Sequence, residues 1–323
     1  MDLHLGPCRP ARALLPCLLA AFAAPPLLAL ELRSFPDQDQ TPTFGVKVDV
    51  VSLDIEVLDR SGNPVRGLRK EDFRIRENGK PVEVTNFGWF EGRPVSLVLV
   101  LDTSTLRREQ LLLAKEFISR LIHLLSRTDE IALYSYNEKE VFLEQDLATD
   151  RSLILEALNN IEVPSKRRRN LLKEAFGNPP PSGLSLDLAV AKAREGKNDK
   201  KAVALLSDRF RGLGPAVVEH VRDGGLTVLT VKLESQSTDR AKAEQGAAGG
   251  RPVADETGGR EFRAGPEDAA RVCRTIATAL KNHYYAGYLT EVRPGDDKVR
   301  RIEVTVAAQD WVVFARRSFA PSR

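Results

Sequence analysis

Between residues 44 and 92 the chain alternates apolar and polar positions. Val46, Val48 and Val50 form one alternating set, and Leu53, Ile55 and Val57 form a second. The cluster Asp59-Arg-Ser-Gly-Asn-Pro64 that follows is rich in turn formers, so the segment reads as a hairpin. Phe73-Arg-Ile-Arg-Glu-Asn-Gly79 repeats the alternation, and Val82 and Val84 continue it beyond Asn78-Gly79, a pair suited to a two-residue turn with positive φ at both positions. Three or four strands rarely make a stable domain alone, so this N-terminal β module is expected to pair with another part of the chain.

From Pro94 the period changes. Val95-Ser-Leu-Val-Leu-Val-Leu101 is a continuous apolar run, as expected of a central parallel strand buried on both faces. Apolar residues at 111, 112, 114, 117, 118, 121 and 125 then give a helical stripe over Leu106 to Leu125. Strand and helix signals continue as Glu130 to Tyr136 (strand), Arg151 to Asn160 and Leu184 to Arg194 (helices), and Ala202 to Ser207 (strand). Gly214 to Arg222 (helix), Leu226 to Leu233 (strand) and a helix within 268–282 follow. This spacing predicts a doubly wound, mostly parallel α/β sheet over 93–282. Strand signals return in Tyr284, Tyr285 and Tyr288, in Arg301 to Val306 and in Trp311 to Ala315. Neither the segment 44–92 nor 283–323 has strands enough, so the two are expected to build one small β-sandwich-like module with the α/β domain inserted between them.

Composition narrows the function. With 42% hydrophobic and 29% charged residues over 323 positions, the chain can bury one good core and a smaller second one, which excludes a disordered protein. Its 48 basic and 45 acidic residues leave a net charge of +3, without the basic excess of a nucleic-acid binder, so no nucleic-acid partner is expected. Arg9 and Arg12 precede an apolar run, Ala13 to Ala24, and Ala21-Phe22-Ala23 offers small residues at cleavage spacing, so residues 1–30 read as an export signal. Pro16, Pro25 and Pro26 interrupt that run, whereas a spanning helix needs about 20 unbroken apolar residues. A cleaved signal is therefore favoured over an uncleaved anchor, with a polar linker over 31–43 and a periplasmic or secreted mature chain. Cys8 and Cys17 lie in the signal, which leaves Cys273 on the apolar stripe of its helix as a packed thiol, with no disulfide and no thiolate metal cluster.

Two aspartates arrive at the carboxyl edge of the sheet, where open α/β folds place their sites. One follows the first central strand in Leu101-Asp102-Thr103-Ser104-Thr105-Leu106, and the other ends the strand Leu205-Leu206-Ser207-Asp208. At these residues the sequence resembles a von Willebrand factor type A domain, a Rossmann-like fold with a metal-ion-dependent adhesion site built on Asp-x-Ser-x-Ser. Within that superfamily it is similar to the Acidobacteria-type related family. The pieces that carry this are Val57-Leu-Asp-Arg-Ser-Gly-Asn-Pro-Val65, Glu71 to Gly79, Thr257-Gly-Gly-Arg260, Tyr284-Tyr-Ala-Gly-Tyr288 and Ala315-Arg-Arg-Ser-Phe319. The resemblance covers roughly residues 44 to 321.

The resemblance implies a Mg²⁺ site, or one for Mn²⁺ or Ca²⁺, with Asp102 and Ser104 in the first and third motif places and Asp208 in the late one. Leu106 stands where the second serine belongs. Gly183 stands in the place of the middle-loop threonine, with Ser182 or Ser185 as substitute ligands after a small shift. Mg²⁺ demands near-ideal oxygen geometry, so weakened or lost metal dependence is expected. The competing reading is a vestigial site whose carboxylates bond to loop backbone or are neutralised by Arg209, Arg211 or the basic run Lys166, Arg167, Arg168 and Arg169, since an arginine satisfies a carboxylate bidentately. That run reads mainly as a solvated loop, and alternatively as a patch for an acidic partner.

The function implied is an exported protein-binding module for adhesion or scaffolding, its protein partner in the cell envelope or outside the cell. The alternative is a purely structural envelope component. An enzyme is not expected. A hydrolase using Ser104 is a remote reading, because His4, His123, His220 and His283 fall in the signal or on helices and Ser104 lacks a Gly-x-Ser-x-Gly elbow. No small-molecule substrate is evident, and Asp-Thr-Ser-Thr stands where a dinucleotide site needs glycines.

Overall fold

One 12-residue strand, β1 (Lys47–Leu58), runs through both alternating sets at the N-terminus. The sets differ in phase: Val51, Leu53, Ile55 and Val57 face the core, whereas Val48 and Val50 lie exposed on the other face. The turn after β1 returns only as far as a Leu58↔Pro64 bridge and a bond from Val65 N to Val57 O at 2.8 Å, so the expected hairpin at this point is a short reversal without a second strand. β2 (Phe73–Glu77) and β3 (Lys80–Pro81) do form a hairpin, with Glu77 opposite Lys80. Asn78 and Gly79 take φ of 50° and 77°, the left-handed pair that a two-residue turn between twisted strands requires. β4 (Val84–Glu91) follows. The computed structural model describes residues 47–137, 140–162, 182–210, 212–234, 249–293, 296–307 and 310–321. The signal and linker expected over 1–43, the basic run at 166–169 and Arg211 lie outside them.

Next come β5 (Val95–Asp102), α1 (Arg108–Leu124), β6 (Glu130–Tyr136), β7 (Val141–Ala148), α2 (Arg151–Asn160) and α3 (Ser182–Glu195). They are followed by β8 (Lys200–Ser207), α4 (Pro215–Asp223), β9 (Thr227–Leu233), α5 (Arg251–Glu256), β10 (Glu261–Ala264) and α6 (Ala269–Lys281). Six strands form one sheet in the order β10-β9-β8-β5-β6-β7, parallel throughout except for the β6–β7 pair. β5 is central and buried along its whole length. Alternate strand residues feed two cores: Leu97, Leu99 and Leu101 pack with α1, α2 and α6, while Val98 and Val100 pack with α3, α4 and α5. The mostly parallel doubly wound sheet expected from the sequence is thus present. α1 begins later than its apolar stripe, since Leu106 precedes it, and Leu112 points outward at 60% exposure. Cys273 is fully buried, its thiol donating to Phe117 O at 3.3 Å, and burial pushes its pKa up to about 12.

The chain ends in β11 (Asn282–Val292), β12 (Arg300–Val306), β13 (Val312–Phe314) and β14 (Ser318–Phe319). These strands join the N-terminal ones in two antiparallel four-stranded sheets, β13-β1-β11-β4 and β14-β12-β2-β3. β1 pairs with β11 from Lys47↔Val292 to Ile55↔Tyr284, and β2 pairs with β12 from Phe73↔Val306 to Glu77↔Ile302. The inner faces of both sheets share one core around Leu53, Ile55, Phe73, Tyr284, Tyr288 and Ile302. Tyr284 also fastens the loop after β1, accepting from Leu68 N and donating to Val65 O, both at 3.0 Å.

This β module is tied to the α/β part by polar contacts with steric requirements of their own. In Thr257-Gly-Gly-Arg260, the Thr257 hydroxyl accepts from Val228 N at 3.0 Å and the residue bridges to Arg316. A Cβ at Gly259 would stand 1.8 Å from Val228 O, so only glycine fits against that strand. Asp54 of β1 meets Lys200 of β8 at 2.5 Å and His283 of β11 at 3.5 Å.

Candidate functional site at the carboxyl edge of the sheet

β5 and β8 run parallel with Leu101 opposite Leu206, so the next residues, Asp102 and Ser207, come out side by side. The chain leaving β5 enters α1, whereas the chain leaving β8 enters α4 on the opposite face. The two loops diverge there, which is the topological switch point where open α/β sheets form a crevice.

Asp102 is 2% exposed and held by donors of its own loop and of β8. Its Oδ1 accepts from the Ser104 hydroxyl at 2.5 Å and from Ser104 N at 2.9 Å, and its Oδ2 accepts from the Ser207 hydroxyl at 2.6 Å. The Ser207 hydroxyl has one proton to share between Asp102 Oδ2 and Arg209 O at 2.7 Å, so Oδ1 is engaged by Ser104 while Oδ2 is held less completely. Burial raises its pKa, and the hydrogen bonds from Ser104, Ser207 and Tyr136 oppose that shift.

The other hydroxyls of the loop are committed as well. The Thr103 hydroxyl donates to Tyr136 O at 2.9 Å, and the Thr105 hydroxyl donates to Asp208 Oδ1. The structure therefore brings Asp102, Ser104 and Asp208 to one place, together with Ser207, Thr105 and Tyr136, which the sequence did not single out.

The two positions where the motif departs from the resemblance have physical occupants. Leu106 is fully buried in the core shared with α1, so its side chain fills apolar space where a ligand hydroxyl would stand. Gly183 lies inside α3, where an added Cβ would come 2.6 Å from Val217 Cγ2 of α4, so a threonine there would force the Val217 side chain to shift. Ser185 is fully buried and has a partner of its own. The side chain of Ser182 lies outside the described residues.

A hydroxyl that donates to a carboxylate keeps a lone pair for a cation, so Ser104 alone decides nothing. The rest of the set does not fit one. Oδ1 of Asp102 is engaged by Ser104, the second hydroxyl is a core leucine, and a side chain in the third place would press on Val217. Among the described residues, no three His, Cys, Asp or Glu side chains gather as a ligand set.

Arg209 lies beside Asp208, with 3.8 Å from its Nε to Oδ2, and is 57% exposed. Its contact with Asp208 is loose, and among the described residues Asp102 meets hydroxyls and a backbone N–H and pairs with no arginine. Ser104 has no imidazole beside it among the described residues. His123 Nδ1 is 2.6 Å from Ser119 O, His220 is 3.8 Å from Asp187, and His283 sits against Asp54 and Lys200.

No protein-family model matches the chain, and no curated protein does. Solved structures of similar fold include an aerotolerance-related membrane protein from Bacteroides fragilis, 17% identical, covering 58% of this chain and 98% of that one with a TM-score of 0.45. Another is a von Willebrand factor type A protein from Catenulispora acidiphila, 15% identical over 76% of this chain and 73% of that one, also at 0.45. The manganese-loaded TRAP protein of Plasmodium vivax is 12% identical over 73% of this chain and 98% of that one, at 0.41. Each is a likeness at low sequence identity and with a TM-score below 0.5.

Proposed function

We propose that the chain is an exported protein-binding module of von Willebrand A type, serving adhesion or scaffolding, whose carboxyl-edge site works without a divalent cation. The observation that carries this reading is the loop-bound carboxylate of Asp102, which accepts from both the hydroxyl and the backbone N–H of Ser104 and lies 2.6 Å from the Ser207 hydroxyl, in a motif whose second hydroxyl place is taken by the core residue Leu106. The hydroxyl network fixes the two diverging loops in one arrangement, which gives a partner a rigid, preorganised surface. Arg209 is exposed beside that network, and Leu184 is 49% exposed next to the Gly183 contact with α4. An exposed arginine and leucine beside this network suit a protein partner better than a small polar substrate. Export rests on the sequence of residues 1–30.

The test is partner capture by the immobilised chain from an envelope fraction, compared between Mg²⁺ and chelator and between the parent and Arg209→Glu and Leu184→Asp variants. Capture that persists in chelator and is lost in the variants supports the reading. Capture lost in chelator contradicts the metal independence, and capture unchanged in both variants contradicts the location.

A further inference from the structure

No apolar core spans the junction between the β module and the α/β part. The cluster around Leu53, Ile55, Tyr284 and Tyr288 belongs to the module alone, and the clusters on the two faces of the six-stranded sheet belong to the α/β part alone. The contacts across the junction are polar. Asp54 of β1 reaches Lys200 of β8 at 2.5 Å, Glu56 of β1 reaches Arg260 at 3.1 Å, and Arg316 Nη2 donates to Arg222 O at 3.1 Å. A polar interface between bodies with separate cores permits relative motion.

The chain crosses between the two parts twice, and the crossings lie side by side. Gly92 N donates to Lys281 O at 3.0 Å, and Asn282 pairs with Glu91. His283 stands next to this neck, 3% exposed. Its Nε2 lies 3.5 Å from Asp54 Oδ1, and its Nδ1 is buried with no hydrogen-bond partner among the described residues. The other groups around the ring are the Lys200 ammonium, bonded to the same carboxylate, and Phe90, whose ring centre is 5.5 Å away and carries the Arg93 guanidinium at 3.7 Å.

A second proton on this ring has no acceptor at Nδ1 and stands near two cations. Burial and then Lys200 hold the pKa of His283 down to about 4. Burial also works against the charge of Asp54, but Lys200 and His283 outweigh it and keep Asp54 ionised below the usual carboxylate range. In acid one carboxylate is thus left to Lys200, Arg93 and a charged His283. A group that binds its proton less well when enclosed than when solvated favours, as pH falls, the arrangement that lets it reach water. Glu56 has the opposite sign: burial raises its pKa, so acid neutralises it in place. Loosening therefore begins at the His283 side of the junction.

We propose that the junction is an acid-released latch, in which protonation of His283 loosens the β module from the α/β part while each keeps its own fold. The latch shares no residue with the carboxyl-edge network, so either can fail without the other.

Both tryptophans, Trp89 and Trp311, pack on the core of the β module and serve as energy-transfer donors. The acceptor is an AEDANS group on Leu112→Cys of α1, a 60% exposed position, in the full chain with Cys8 and Cys17 replaced by serine. Cys273 is buried and stays unlabelled. As pH falls toward about 4, transfer is expected to drop reversibly with far-ultraviolet circular dichroism unchanged, over the range in which the His283 ring protons titrate by NMR. His283→Gln keeps a polar side chain without the titrating ring and is expected to hold its transfer through that range. An equal drop in His283→Gln would overturn the role of His283. A drop that comes only with loss of circular dichroism would show unfolding of the whole chain and overturn the latch. Steady transfer in the parent while the His283 signals complete their titration would overturn it as well, and this reading needs no variant at His283.

Discussion

Replacing Leu106 with serine restores, letter for letter, the motif that the sequence lacks, and the structure expects the result to be a damaged protein and not a repaired metal site. The Leu106 side chain is 0% exposed and belongs to the core between β5 and α1. Truncating a buried leucine costs about 2–5 kcal/mol through lost burial and the cavity left behind. The new hydroxyl adds about 1–3 kcal/mol if it finds no partner there. A loss of roughly 3–8 kcal/mol is a large part of the roughly 5–15 kcal/mol that keeps a domain folded. Urea unfolding followed by circular dichroism, with and without Mg²⁺, measures it. A restored ligand would return about 2.7 kcal/mol at metal a hundredfold above Kd. Leu106→Ser within about 1 kcal/mol of the parent, and stabilised by Mg²⁺, would show that the position faces the site and would refute the reasoning.

Asp102→Ala strips the acceptor from the hydroxyl and the backbone N–H of Ser104, while the Ser207 hydroxyl keeps Arg209 O, and at about 1–3 kcal/mol for each buried donor left unpaired the expected loss is about 2 kcal/mol or more, read by chemical denaturation in chelator. Gly183→Thr forces a side chain against Val217 and is expected to cost about 1–3 kcal/mol, most of it recovered in the double variant with Val217→Ala. His283 titrates low, at about 4, because burial and then Lys200 disfavour its charged form. The unfolded chain therefore takes up that proton first, so the stability from neutral His283 is whole above about pH 6.5 and is lost as pH falls toward about 4. The total is about 3 kcal/mol for this 3% exposed ring, and His283→Gln is expected to flatten the dependence of melting temperature on pH across that window.

The doubly wound sheet was legible because its central strands are apolar without interruption: β6 and α2 begin and end where the periodicity places them, and β5 extends one residue further. β7 was not, because it is a half-exposed edge strand whose pairing with β6 is interrupted by register shifts at Ile131/Leu133 and Leu133/Tyr134, so it shows neither alternation nor an apolar run. β10 is four residues long, too short for any period to show. β1 misled by its change of phase at Val50/Val51, which in one strand means that apolar residues occupy both faces in turn. Asp102, Ser104 and Asp208 could be named from their place after two strands. Their partners Ser207 and Tyr136 could not, since a polar residue at the end of an apolar strand reads as its boundary, and Tyr136 reads as one more core aromatic. The meaning of Leu106 also needed the fold: the sequence shows a missing ligand, and the structure shows a core residue.

Thermal denaturation of the protein in millimolar Mg²⁺, millimolar Mn²⁺ and chelator tests the central claim most directly. A ligand that binds only the folded state must raise the melting temperature. The loop-bound carboxylate of Asp102 predicts superimposable curves in all three conditions. A melting temperature that rises with either metal and falls back in chelator, and that no longer responds in Asp102→Ala, would contradict it.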